Sequence, residues 1–143
     1  MKKPRRVLFV CIGNSCRSQM AEAFARAYGR GVIEPASAGV YPASIIAPDT
    51  IRAMAEKNLD LKGQSPKSVA QVDLNRFDLI VDMSGGFLDG HYKTPVQSWD
   101  VADPITLEYE EHCQVRDQIE LLVQKLIRES RTRKKVRVFG IGI

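Results

Sequence analysis

Val7-Leu8-Phe9-Val10-Cys11-Ile12-Gly13-Asn14-Ser15-Cys16-Arg17-Ser18 reads as a strand that breaks into a polar loop and runs straight into a helix. The four apolar residues Val7 to Val10 suit a strand covered on both faces. Met20, Phe24 and Tyr28 then recur every four positions, with Ala21 and Ala25 beside them. That spacing predicts an amphipathic helix packed on the strand and stopped at Gly29 and Gly31. The loop places Cys11 at a strand end, Arg17 six positions on and a helix N-terminus directly behind. Gly13 and Asn14 can take the positive φ a tight loop needs. Successive backbone N–H groups then turn inward as a nest, and the helix dipole adds to their field. Arg17 supplies a forked, permanently charged clamp for a tetrahedral oxyanion. The same field favours the thiolate of Cys11, the form in which a cysteine is a nucleophile. Ile12, Gly13, Asn14, Ser15, Cys16, Arg17 and Ser18 are therefore the candidate anion-binding residues.

Downstream, strands and helices alternate. Gly31-Val32-Ile33-Glu34 rises into a second strand that closes in the small residues Ser37-Ala38-Gly39, and Val40 to Ala47 is an irregular loop. Pro48 opens a second helix with Ile51, Met54, Ala55 and Leu59 on its apolar face. Leu61 to Val72 reads as a polar loop, Phe77 to Met83 as a third strand and Val96 to Val101 as a fourth. Val115, Ile119, Leu122 and Leu126 mark a long helix from Leu107 to Arg128, with glutamates at its start and basic residues at its end. The pattern predicts an α/β three-layer sandwich with a four-stranded, mostly parallel sheet flanked by helices. Val136 to Ile143 reads as an extra strand or a loosely docked extension.

A chain of 143 residues is long enough for one domain with a real core and too short for two. We expect residues 1–143 to form that domain, with a core over about 6–128 and a basic, then apolar, extension over 129–143. Three cysteines do not form a disulfide framework, which points to a reducing cytoplasm. The basic N-terminus followed by an apolar run imitates a signal peptide, but the run ends in a glycine loop within about five residues, short of an h-region. No stretch is long enough to span a membrane. The net charge of +4 sits at the two ends, on an acidic body. Neither basic run carries interleaved aromatic residues or a binding motif, which argues for solvated termini rather than nucleic-acid contact.

Cys11-x5-Arg17-Ser18 at the N-terminus of a strand–loop–helix resembles the low-molecular-weight protein tyrosine phosphatase family, whose fold the related arsenate reductases share. The resemblance covers residues 6 to about 128. It implies that Cys11 is the nucleophile, that Arg17 and the loop N–H groups hold the oxyanion, and that Asp103, in Asp103-Pro104, is the general acid. Asp100 is the competing carboxylate. Ser18 would hydrogen-bond the Cys11 sulfur, and Tyr41 would wall the pocket mouth. The implied reaction is hydrolysis of a phosphorylated protein or small phosphomonoester through a cysteinyl-phosphate, with no metal or other cofactor. Lys67 aligns where some reductases place an acidic residue that helps hold a cation, and its ammonium could take that cation's place.

The alternative is arsenate reduction. Asn14 to Glu22 looks more like the reductases, since phosphatases usually have proline where this chain has Gln19. Thioredoxin-linked reductases carry two further cysteines beyond the third strand; here Ser84 and His91 stand at or near those positions, and Cys113 lies on the last helix. A reductase using an external thiol, such as glutathione with glutaredoxin or mycothiol, needs only Cys11. Ile105 and Thr106 follow Asp103-Pro104 where phosphotyrosine-specific members carry tyrosines. Cys16 is either a small buried filler or the partner of Cys11 in a protective disulfide. A non-catalytic anion sensor is the third reading. The absence of the two further cysteines puts the phosphatase first.

Overall fold

The computed structural model describes residues 3–142, those from 133 onward by their backbone alone. Four strands form one all-parallel sheet: β1 (Arg5–Cys11), β2 (Ile33–Gly39), β3 (Leu79–Asp82) and β4 (Val96–Ser98), in spatial order β2-β1-β3-β4. Because all strands run the same way, Cys11, Gly39, Asp82 and Ser98 end at one edge. The chain leaves β1 to one side for β2 and returns to its other side for β3. The crevice at the carboxyl end of β1 is therefore the switch point where ligands bind in such sheets.

Alternation along β1 builds two apolar clusters. Val7 and Phe9 face α1 (Arg17–Tyr28), α2 (Pro48–Ala55) and α3 (Tyr109–Gly142), meeting Met20, Phe24, Met54, Ile119 and Leu126. Leu8 and Val10 face the other way, with Ala38 and Ile80, under Val69, Val72, Leu74, Phe77, Leu88 and Tyr92. That layer consists of loops and two single-turn 3-10 helices, Val69–Gln71 and Leu74–Arg76. Burying Phe9 and Phe24 completely stabilises the fold by about 1.5–3 kcal/mol each.

Several elements differ from the sequence reading. β3 begins at Leu79 because Asp78 turns out, its carboxylate accepting from the Arg6 N–H at 2.8 Å. β4 is three exposed residues at the sheet edge rather than six. Ile51 is 48% exposed, because the face that α2 buries is Thr50, Ala53 and Met54. The last helix does not stop at Arg128. The arginines and lysines that follow are good helix formers with no glycine or proline until Gly140, so the backbone stays helical through Gly142. Val136–Ile143, read as an extra strand or a loosely docked extension, thus continues the helix as far as Gly142, with Ile143 outside the described residues.

Candidate active site

The loop from Cys11 to Arg17 joins the end of β1 to the start of α1, and its carbonyls are all spoken for. Those of Cys11, Ile12 and Gly13 accept from the N–H groups of Val40, Tyr41 and Ala43 at 3.1, 2.8 and 2.9 Å. Asn14 O accepts from Gln19 Nε2 at 3.0 Å, Ser15 O from Ala47 N at 3.1 Å and Cys16 O from Met20 N at 3.0 Å. With every oxygen turned outward, the opposite edge of each peptide faces the cavity. Among the described residues, no carbonyl or side chain accepts from the N–H groups of residues 12 to 17. Such unpaired donors suit an anion.

Of the two residues expected at positive φ, only Asn14 adopts it, at +50°. Asparagine tolerates that region, and here its side chain is fully used. Asn14 Oδ1 accepts from the Lys67 N–H at 2.9 Å, while Nδ2 donates to Ser18 Oγ at 2.7 Å and to Ser37 Oγ at 3.0 Å. Ser37 Oγ donates to buried Glu22 Oε1 at 2.5 Å, and Glu22 Oε2 accepts from Arg26 Nη2 at 2.7 Å. Because Ser18 accepts from Asn14, its own proton is available for the Cys11 sulfur, 2.9 Å away. Gly39, at the end of β2, lies hard against this loop. A Cβ there would sit 2.8 Å from Ile12 O and 2.9 Å from Asn14 N. Lys67 thus meets Asn14 through its main chain, where its ammonium was expected.

A cavity of about 200 Å³ opens above Cys11, lined by Ile12, Gly13, Ser15, Cys16, Arg17, Ala43, Asp103 and Ile105. Arg17 is 6% exposed, and its Nη1 donates to Met83 O at 2.6 Å and Val101 O at 3.0 Å. Its Nη2 lies 3.5 Å from Asp103 Oδ2, and its buried Nε has no partner. Two carbonyls therefore lock the guanidinium plane and leave a charged donor for a ligand. Asp103 caps the 3-10 turn Pro104–Thr106, its Oδ1 accepting from Ile105 N at 3.1 Å, which leaves Oδ2 toward Arg17. Asp100 lines a second cavity of about 480 Å³, on the other side of Arg17, with Asp82, Ser84 and Trp99.

Tyr41 does not wall the pocket. The residue is 71% exposed, and Ala43 and Ile105 line the mouth. Its contribution to the loop is its N–H, because the segment 40–47 runs past as a clamp of main-chain donors. Asn14 and Ser18 stand behind the cavity wall and act on Cys11 through the network just described. Burial pushes the Cys16 thiol up to about 11, helped by the nearby Asp103 and Cys11 charges and opposed by a bond from Thr50. Cys16 is thus a neutral thiol beside Cys11. Ser84 is buried and its Oγ accepts from Phe87 N at 3.0 Å, His91 is exposed on a loop, and Cys113 is half-buried on α3. The side-chain roles of Ser37, Thr50 and His112 had no local signal, since each depends on a partner at least 15 positions away.

A thiol at the floor of an N–H cradle, with an arginine and a carboxylate at its rim, defines a cysteine-based oxyanion enzyme on a parallel α/β sheet. The chain belongs to the low molecular weight phosphotyrosine protein phosphatase family, whose pattern it matches over residues 6–137. It is 34% identical over 129 residues to an arsenate reductase of Brevibacillus brevis, covering 87% of this chain and 96% of the relative. A glutaredoxin arsenate reductase of Synechocystis is 32% identical over 127 residues, covering 86% and 96%. Among solved structures, an arsenate reductase from Archaeoglobus fulgidus superposes with a TM-score of 0.79 at 35% identity, covering 86% of this chain and 99% of that one. No helix among the described residues is long and apolar enough to cross a membrane.

Proposed function

We propose that this protein is an arsenate reductase that depends on an external thiol. The observation that carries the reading is its likeness, over nearly the whole chain, to arsenate reductases at 32–36% identity. That likeness reverses the order of the two readings drawn from the residues, where the phosphatase stood first. The missing further cysteines bear on which thiol resolves the adduct rather than on whether arsenate is the substrate.

In this reading the N–H groups of residues 12 to 17 and Arg17 hold three arsenate oxygens. The Cys11 thiolate attacks arsenic, and Asp103 protonates the oxygen that leaves as water. The product is a Cys11–S–As(V) adduct. A thiolate from outside attacks the Cys11 sulfur; the S–As bond breaks and its electron pair stays on arsenic, which leaves as arsenite. A second external thiol then reduces the mixed disulfide, so two thiols become one disulfide for each As(V) taken to As(III). Cys16 is a poor resolving group because it stays protonated at neutral pH. Such thiol chemistry belongs in a reducing cytoplasm.

Phosphomonoester hydrolysis is the second reading, favoured by the Asp103 carboxylate with one oxygen directed at Arg17. There Asp103 would protonate the leaving alcohol and then take a proton from water. The experiment is arsenite release measured with glutaredoxin and glutathione, with a mycothiol system and with thioredoxin, alongside para-nitrophenyl phosphate hydrolysis, with Cys11→Ser as the blank. Arsenite release with one thiol system, lost in Cys11→Ser, is the expected result. Efficient hydrolysis without arsenite would replace this reading with the phosphatase, and tight anion binding with neither turnover would leave an anion sensor.

A further inference from the structure

Gln64 has no part in the chemistry above, yet it closes a ring of hydrogen bonds behind the nucleophile loop. Asn14 holds both ends of that ring. From its side chain, Nδ2 donates to Ser37, Ser37 to Glu22, and Glu22 accepts from Arg26 Nη2. From its main chain, Asn14 O accepts from Nε2 of fully buried Gln19, in the first turn of α1, at 3.0 Å. Gln19 Oε1 and Gln19 O in turn accept from Gln64 Nε2, at 2.7 and 3.2 Å. Gln64 Oε1 accepts from Arg26 Nη1 at 3.1 Å, which completes the ring. A tight turn puts Gln64 there: its N–H donates to the carbonyl of buried Leu61 at 2.9 Å, with Gly63 at φ +92°.

Donor chemistry fixes which way each carboxamide faces. A guanidinium carries donors only, so the end of Gln64 that meets Arg26 must be its oxygen. Its NH2 group then faces Gln19 and supplies two hydrogens, one for Gln19 O and one for Gln19 Oε1. With its oxygen so engaged, Gln19 turns its own NH2 to Asn14 O. The reversed Gln19 would set oxygen against oxygen at Asn14 and NH2 against NH2 at Gln64, in a place where a buried polar group without a partner is costly. Arg26 is itself held by buried Glu22, one turn back on α1. One guanidinium thus orients two carboxamides in series, and the second holds the carbonyl of Asn14 outward. The peptide from Asn14 to Ser15 is planar and trans, so a carbonyl held outward aims the Ser15 N–H into the cavity that Ser15 lines.

We infer that Gln64 is a positioning residue for oxyanion binding, holding Gln19 in the one orientation that keeps the Ser15 N–H turned toward the anion. The loop that carries Gln64 also fixes the Asn14 side chain, through Lys67 N on Asn14 Oδ1 at 2.9 Å. It therefore grips the left-handed residue of the nucleophile loop by side chain and main chain together. The inference rests on the reading of the loop N–H groups as the oxyanion cradle, which arsenate reduction and phosphate-ester hydrolysis share.

Inorganic phosphate is the probe, its dissociation constant read on the full chain by calorimetry and by protection of Cys11 from iodoacetamide, so that no turnover is needed. Gln64→Glu keeps the shape and the bond to Arg26 but offers Gln19 only acceptors, which favours the reversed carboxamide. Gln64→Met keeps the length and drops both polar ends. We expect phosphate to bind roughly tenfold more weakly in Gln64→Glu and about threefold more weakly in Gln64→Met. A merely structural role gives the opposite order, because glutamate is the nearer mimic. Added to Gln19→Met, which has no carboxamide to reverse, Gln64→Glu should cost less than about twofold; the bare charge of a glutamate would cost the same in both backgrounds. Unchanged affinity in Gln64→Glu, a larger loss in Gln64→Met, or equal losses in the two backgrounds overturns the inference. A wild type that binds no phosphate overturns it together with the cradle, whereas one that binds phosphate and releases no arsenite sinks the reductase reading alone. Should the variants not fold, scalar couplings across hydrogen bonds in the 15N,13C-labelled wild type decide. Couplings from Gln64 Nε2 to the Gln19 carboxamide carbon and from Gln19 Nε2 to the Asn14 carbonyl carbon support the inference, and the absence of either overturns it.

Discussion

Replacing Asn14 separates the two things that residue does. Its backbone sits at φ +50°, and its side chain makes three hydrogen bonds. Asn14→Gly keeps the backbone conformation and removes the bonds, whereas Asn14→Ala also forces a Cβ into the left-handed region. The second effect costs about 1 kcal/mol relative to glycine. Of the bonds, those donated to Ser18 and Ser37 are each worth about 0.5–1.5 kcal/mol, because both hydroxyls keep another partner in Cys11 or Glu22. The Lys67 N–H is different. It loses its acceptor in a part-buried place, a cost of about 1–3 kcal/mol. Together these predict a loss of about 2–6 kcal/mol for Asn14→Gly and about 1 kcal/mol more for Asn14→Ala. Guanidinium unfolding of the three proteins at one pH measures both differences. Alkylation of Cys11 by iodoacetamide at pH 7 is the companion assay. Once Asn14 no longer fills the Ser18 lone pair, the hydroxyl proton can turn away from the sulfur, and alkylation should slow by roughly tenfold in both variants. Equal midpoints for Asn14→Ala and Asn14→Gly would refute the backbone part. Unchanged stability and alkylation in both would refute the network.

Gly39→Ala puts a methyl group 2.8 Å from Ile12 O and 2.9 Å from Asn14 N, so we expect about 1–3 kcal/mol of destabilisation and weaker protection of Cys11 by inorganic phosphate, read by calorimetry and alkylation. His112 is neutralised by burial below its ordinary value of 6.5, so on acidification the unfolded chain takes up that proton before the folded one. Its contribution is therefore full above about pH 6.5 and is lost as the pH falls through the folded value; urea midpoints at descending pH should drop more steeply in the wild type than in His112→Asn. Cys16, raised to about 11, should stay unlabelled by a thiol reagent at pH 8 while Cys11 is consumed, with peptide mass spectrometry giving the order. Phe24→Ala, at a fully buried position, should cost about 3–5 kcal/mol in unfolding free energy.

The strand–loop–helix at Val7–Tyr28 was legible because its pieces are local. Four apolar residues, a cysteine, an arginine and a repeat of Met20, Phe24 and Tyr28 carry their meaning within a few turns of chain. The same holds for the parallel sheet, which follows from strands alternating with helices. The end of α3 was misread because Val136 and Val138 alternate like a strand, whereas the backbone there continues a helix already nucleated upstream. Tyr41 was misplaced for a related reason. An aromatic residue in a loop suggests a wall, but its 40–47 segment meets the site edge-on through N–H groups that have no sequence signature.

Asp103 was reached only through the family resemblance; the sequence by itself determined the loop from Cys11 to Arg17 and the parallel sheet. Each is written in neighbouring residues or in a short period, and short-range sterics and hydrophobic patterning act on those directly. Only the tertiary structure decided what surrounds Cys11. Within that loop it chose Asn14 alone for the left-handed turn, and it hydrogen-bonded Asn14 to Ser18 and Ser37 and Ser37 to Glu22. It also placed Ala43 and Ile105 at the mouth and set His112 against Thr50. Those pairings join residues from 4 to 62 positions apart. A buried polar group must find a partner wherever packing brings one, and packing is a property of the whole chain.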